Sequence, residues 1–169
     1  MGVTIHFEGK LKSQKDFDEV IEKARDFAKR RSSDIIHLNN DKKLLKRVKD
    51  EKDWAYEGTV KGIQIQPHDN SDPLILEFDK DLYIQEFCKT QFSDISTHID
   101  IIQFLRDIES HFDKLSVIDE GEFWETNDIK LLEQKFEDFF VAFDNAIQKN
   151  PKLKGPFKMS DGRIVDLMG

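Results

Sequence analysis

The chain has little to staple itself with: one cysteine and four prolines in 169 residues. A lone Cys88 cannot close an intramolecular disulfide and offers no CxxC framework for a metal, so the expected compartment is a reducing cytoplasm. Its expected role is that of a small buried apolar group. No apolar run approaches the roughly 18 residues of a membrane span, and the opening MGVTIHFEGK lacks a basic region followed by a long apolar one. Met1-Gly2 invites an acylation reading, but His6 stands where that signal wants Ser or Thr.

Chemical motifs are missing too. There is no GxxxxGK[ST], no GxGxxG and no GxSxG, which removes most support for phosphate-dependent enzymology and for a nucleophile elbow. His6, His37, His68, His98 and His111 form no HExxH and no i, i+4 pair, so no metal is expected and their expected state is surface or half-buried. The segment beginning Asp119-x-Gly121-x-Phe123 lacks the alternating oxygen ligands of an EF-hand loop, and no other cofactor is implied.

Charge and aromatics are what the chain does have. Charged residues make up 36% and the net charge is −8, yet 14 Phe and two Trp give it the large apolar groups that disordered chains lack. Residues 1–52 carry a net +4 and residues 53–169 a net −12, with −10 concentrated between Asp94 and Asp144. Such a field repels phosphate backbones, excluding nucleic acid as a natural ligand, and favours a basic partner.

Periodicity supplies the elements. Val3, Ile5 and Phe7 alternate with Thr4, His6 and Glu8, predicting a strand with His6 turned outward. Ser13-x-x-Asp16 opens an amphipathic helix through Phe17, Val20, Ile21, Ala24, Phe27 and Ala28, closed by Lys29-Arg30-Arg31, cations that offset the dipole's negative end. Short strands are expected at Asp34–Leu38 and Leu44–Val48 about an Asn39-Asn40-Asp41 turn, with KKLLKRVK open to a helical fragment instead, then a hairpin of Tyr56–Gln66 and Leu74–Phe78 across a turn from Pro67 to Pro73, and a strand over Leu82–Phe87. Gly58 and Gly62 read as turn or bulge positions.

The second half shifts to helical spacing. Ile101, Phe104, Leu105, Ile108, Phe112 and Leu115 predict one helix, and Leu132, Phe136, Phe139, Phe140, Phe143 and Ile147 a second, capped by Asn127 or Asp128 and stopped at Asn150-Pro151. Ser160-Asp161-Gly162 marks a small C-terminal hairpin. The expectation is a single α+β domain over residues 1–169, in the order β-α-β-β-β-β-α-α plus that hairpin, with a mostly antiparallel sheet of about five strands and helices packed on one face.

Between the two helices lies DEGEFWETND, residues 119–128, five carboxylates around two aromatics. Most of these acids are expected to be solvated or to serve the next helix N-terminus, and Phe123 and Trp124 to anchor the loop. Two functional readings follow. In the first, a non-enzymatic inhibitor or immunity-like protein uses Glu120, Glu122 and Trp124 against a basic protein. In the second, a small-molecule-binding protein or enzyme has a pocket between sheet and helices, using Trp54, Tyr56, His68 and a loop glutamate, whose carboxyl an apolar neighbour would push upward. Homo-oligomerisation through a strand edge or the Phe-rich last helix is compatible with either.

Overall fold

The computed structural model describes residues 2–169, and Met1 lies outside it. The N-terminal strand β1 (Thr4–Leu11) buries Ile5, Phe7 and Leu11 and turns His6 out, as its alternation requires. Helix α1 (Gln14–Arg30) begins at Ser13, whose hydroxyl oxygen accepts the Asp16 N–H at 3.2 Å, satisfying one of the orphan donors of a helix start. Its inner stripe is Val20, Ala24, Phe27 and Ala28. Lys29 and Arg30 fill the last turn, while Arg31 reaches across to Asp100, Thr97 and the Pro67 carbonyl.

Strand β2 (Ile35–Leu45) runs as one element through Asn39-Asn40-Asp41, where a turn was expected. A register shift between Asn40 and Lys43 takes up the polar residues as an irregularity in an edge strand. A two-residue ribbon follows, β3 (Val48–Lys49) and β4 (Lys52–Asp53), turning at Asp50-Glu51 with positive φ at both. Strands β5 (Tyr56–Ile65), β6 (Leu74–Phe78) and β7 (Tyr83–Lys89) complete the middle of the chain.

Helix α2 (Ile95–Ile108), capped by Asp94, ends earlier than its spacing suggested. Phe112 and Leu115 leave it, and after a 3-10 turn over Glu109–His111 they belong to strand β8 (Phe112–Asp119). The reason is tertiary: β1 has two edges, and β8 pairs with the one that β7 leaves open, Ile5 opposite Asp119 and Gly9 opposite Leu115. The short α3 (Phe123–Thr126) leads into α4 (Ile129–Lys149), capped by Asp128, and the tail closes as β9 (Phe157–Lys158) with β10 (Ile164–Val165).

Two antiparallel three-stranded sheets result, ordered β2-β5-β6 and β7-β1-β8. They meet along β6 and β7. Backbone bonds tie that seam at its ends, Asp79 N–H to Tyr83 and Asp72 N–H to the Lys89 carbonyl, with no ladder between. One continuous core of α1, α2 and α4 residues fills the inner face, including Phe27, Ile101, Ile102, Phe104, Leu105, Leu132 and Phe136 against Ile5, Phe7, Ile63, Leu74 and Leu76. The class is the expected α+β with helices against antiparallel sheet, and β8 is the element that periodicity misassigned. Among the described residues, no helix is long and apolar enough to cross a membrane.

Candidate functional site

With the inner face filled, a cavity of about 880 Å3 lies on the outer face of the β7-β1-β8 sheet, away from the helices. Strand register builds its floor in cross-strand rows. Gln85, Glu8 and Ser116 form one row, and Phe87, His6 and Ile118 the next; beyond them Glu120 donates its N–H to the Thr4 carbonyl at 3.1 Å. The end of β2 and its link to β3, from Leu44 to Val48, overhang one side, and Asp161 and Arg163 of the tail hairpin close another.

Four glutamates face this space: Glu8, Glu77, Glu86 and Glu120. Two have cationic partners, Lys43 at 2.5 Å from Glu77 and Arg163 at 2.7 Å from Glu86. The other two rest mainly on neutral donors. Glu8 accepts from the Tyr83 hydroxyl and from Gln85 at 3.2 Å, and Glu120 accepts the Thr4 N–H at 2.8 Å while standing 3.8 Å from His6. Their charge is therefore left facing the cleft. Around it, Ile118 is 67% exposed, Val48 52% and Leu44 50%, so three large apolar side chains rim the acidic floor.

Burial shapes the chemistry here. Desolvation pushes the Glu86 carboxyl up to about 7, against the opposing pull of Arg163. Desolvation and the bond to Glu8 push the Tyr83 phenol up to about 12. Arg163 lies beside β7, donating to the Phe87 carbonyl at 2.8 Å with its guanidinium 3.9 Å from the centre of the Phe87 ring. Arg47, also in the wall, is buried against Asp79 at 2.7 Å and sits over the rings of Trp54, Tyr56 and Tyr83 at 4.2, 5.4 and 5.3 Å.

The six residues singled out from sequence fall in three places. Glu120 lines the cleft, and Trp54 and Tyr56 support it through Arg47. Glu122 pairs with Lys135 at 2.6 Å and Trp124 packs beside Arg106, towards the helices. His68 stands apart, its Nδ1 accepting the Asn70 N–H at 2.9 Å and its Nε2 lying 3.6 Å from Asp94. Glu8, Glu77, Glu86 and Arg163 were not singled out. The sequence held one signal for Glu8, an acid two positions from His6 on the outward face of β1.

No family model matches this sequence. No curated protein and no solved structure matches it either.

In the 119–128 segment Asp119 acts as the organiser. Its carboxylate accepts the N–H groups of Gly121, Phe123 and Trp124 at 2.8 to 2.9 Å and pairs with His98 at 2.9 Å. His98, expected at or near the surface, is instead fully buried, with Thr90 at 2.7 Å from its other ring nitrogen. Thr90, His98 and Asp119 copy the order of a hydrolytic triad, but all three are sealed in the core, where no substrate can reach them. Asp16, Glu19 and His111 bring ligand-type atoms within 4.8 Å of one another and are the described residues best placed to share a cation. Asp16 is already engaged by Ser13 and by His111 at 2.8 Å, as a capped helix start requires. Burial pushes the Cys88 thiol far up, so it is neither nucleophile nor ligand at neutral pH.

Proposed function

We propose that this is a non-enzymatic binding protein of the inhibitor or immunity type, acting in a reducing cytoplasm, whose outer-face cleft receives a basic protein surface. The observation that carries the reading is the pair Glu8 and Glu120, carboxylates that among the described residues have no close Lys or Arg partner, on a face rimmed by Leu44, Val48 and Ile118. An apolar rim supplies buried area and the two charges supply steering and choice of partner. Glu122 and Trp124, bound up with Lys135 and Arg106, are set aside as docking residues in favour of Glu120.

The test is affinity capture from native lysate at about 50 mM and about 500 mM salt, using the natural protein beside a Glu8→Lys/Glu120→Lys variant. The expected result is a basic protein held at low salt, released at high salt and not held by the variant. Identical retention by both proteins removes the reading.

A second reading rests on Glu86, an acid titrating near 7 in a cavity wall, the position of a general acid or base. On that reading the cavity takes a small molecule. It predicts a metabolite that raises the melting temperature of the natural protein and not that of Glu86→Gln; a panel with no such compound removes it.

A further inference from the structure

Among the described residues, each three-stranded sheet has one edge away from the β6–β7 seam, β2 in one and β8 in the other. They are protected differently. Strand β2 carries a register irregularity and the charges of Asp41, Lys42 and Lys43, devices that discourage another strand from pairing. Strand β8 carries Asp113 and Lys114 near its start and Asp119, turned inward to His98, at its end, and between them Leu115-Ser116-Val117-Ile118 has neither charge nor proline.

The direction of its free hydrogen-bonding groups follows from register. Glu120 donates its N–H to the Thr4 carbonyl, and His6 opposite Ile118 and Glu8 opposite Ser116 continue the same phase. On the other side of β1, Val3 and Leu11 bond to Thr90 and Leu82, which fixes the alternate phase towards β7. Ser116 and Ile118 therefore spend their backbone groups on β1. Those of Leu115 and Val117 point out from the open edge, and among the described residues they have no partner.

We infer that the edge of β8 is a strand-addition site, and that its occupant is an extended segment of the basic partner proposed above. The inference rests on that reading and adds the mode of contact. An added strand forms backbone bonds with Leu115 and Val117, and its alternate side chains stand about 5 Å from Ser116, Ile118 and Glu120 on the cleft face. Charge complementarity selects the occupant: a cation beside Glu120, and two residues along the strand an apolar group beside the exposed Ile118. A second copy of the chain is disfavoured, because each brings a net −8.

The probe is a synthetic nonapeptide of alternating threonine with lysine or valine, compared with a copy N-methylated at alternate amides. Hydrogen exchange of the protein is read with and without it. In the free protein the Leu115 and Val117 amides are expected to exchange quickly and those of Ser116 and Ile118 slowly. Saturating peptide is expected to slow Leu115 and Val117 at least tenfold, and N-methylation on the pairing edge to weaken binding at least tenfold. Val117→Pro removes an N–H that the fold itself does not use, and is expected to weaken peptide binding at least tenfold with near-ultraviolet dichroism unchanged. Ile118→Asp provides a second variant with intact backbone and the same expected loss.

Binding that is lost in Glu120→Lys but indifferent to Val117→Pro and to N-methylation overturns strand addition and leaves the acidic cleft standing. Binding indifferent to all of these, or no binding at millimolar peptide, overturns strand addition; the lysate capture with Glu8→Lys/Glu120→Lys then decides the cleft on its own.

Discussion

Asp119 and His98 are joined at 2.9 Å with both side chains wholly shielded from solvent. The pair fastens the start of α2's inner face to the end of β8. Removing the carboxylate strips His98 of its partner and orphans three N–H groups, so Asp119→Ala is expected to cost about 3–5 kcal/mol in urea unfolding at pH 7. Although desolvation pushes the Asp119 carboxyl up, bonds from His98 and the loop amides win and hold it below the ordinary carboxylate range. A lowered acid stabilises above its unfolded value of about 3.9, and that stabilisation drains away as pH falls through the lower folded value. The gap between the natural protein and Asp119→Ala is therefore expected to narrow below about pH 4.

Glu86 runs the other way. Its folded value, raised to about 7 by burial, lies above the unfolded one, so its contribution is complete below about pH 4.5 and is lost as pH rises through 7. Glu86→Gln keeps an acceptor for Arg163 without the buried charge. It is expected to gain on the natural protein between pH 5 and 8, by at most about 3 kcal/mol, as read from urea midpoints at each pH.

Arg47 is 6% exposed and neutralises Asp79, which is 7% exposed. Arg47→Ala leaves a buried carboxylate with only the Asp81 and Tyr83 amides as donors, for an expected loss of about 3 kcal/mol or more, with a change in the near-ultraviolet signal of Trp54. Arg47→Lys restores the charge without the planar stacking and is expected to fall between.

Gly62 and Gly58 look alike in sequence and differ in space. A methyl group at Gly62 would stand 1.6 Å from the Leu76 carbonyl oxygen of the neighbouring strand, so Gly62→Ala is expected to cost more than about 3 kcal/mol or to yield no soluble protein. At Gly58 the obstacle is the Tyr56 ring, a side chain able to turn aside, and Gly58→Ala is expected to stay within about 1 kcal/mol. Thermal unfolding of the two variants checks both.

Local signals carried most of the fold. The Ser13 cap, the alternation in β1, the β5–β6 hairpin, the Asp128 cap and the Asp161-Gly162 turn all stand where the sequence put them, because each depends on residues a few positions apart. Phe112 and Leu115 misled, since their steps of four and three from Ile108 suit a helix. Only the vacant edge of β1, more than a hundred residues away, decides for a strand. The cleft failed to show for the same reason. Glu8, Arg47, Glu77, Glu86, Glu120 and Arg163 come from six stretches of chain, and register alone assembles them.

Strand β1 lies in the middle of its sheet, with Ile5 opposite Cys88 on one side and Asp119 on the other. At roughly 5–20 residues per second, a ribosome takes on the order of 6–20 s to reach the second of these partners after making Ile5. Until β7 has been made, Val3, Ile5 and Phe7 have neither of their neighbouring strands, and one edge of β1 stays unpaired until β8 follows. Long-range pairing of this kind makes for slow folding, and the nascent chain is exposed to mispairing until β8 has been made.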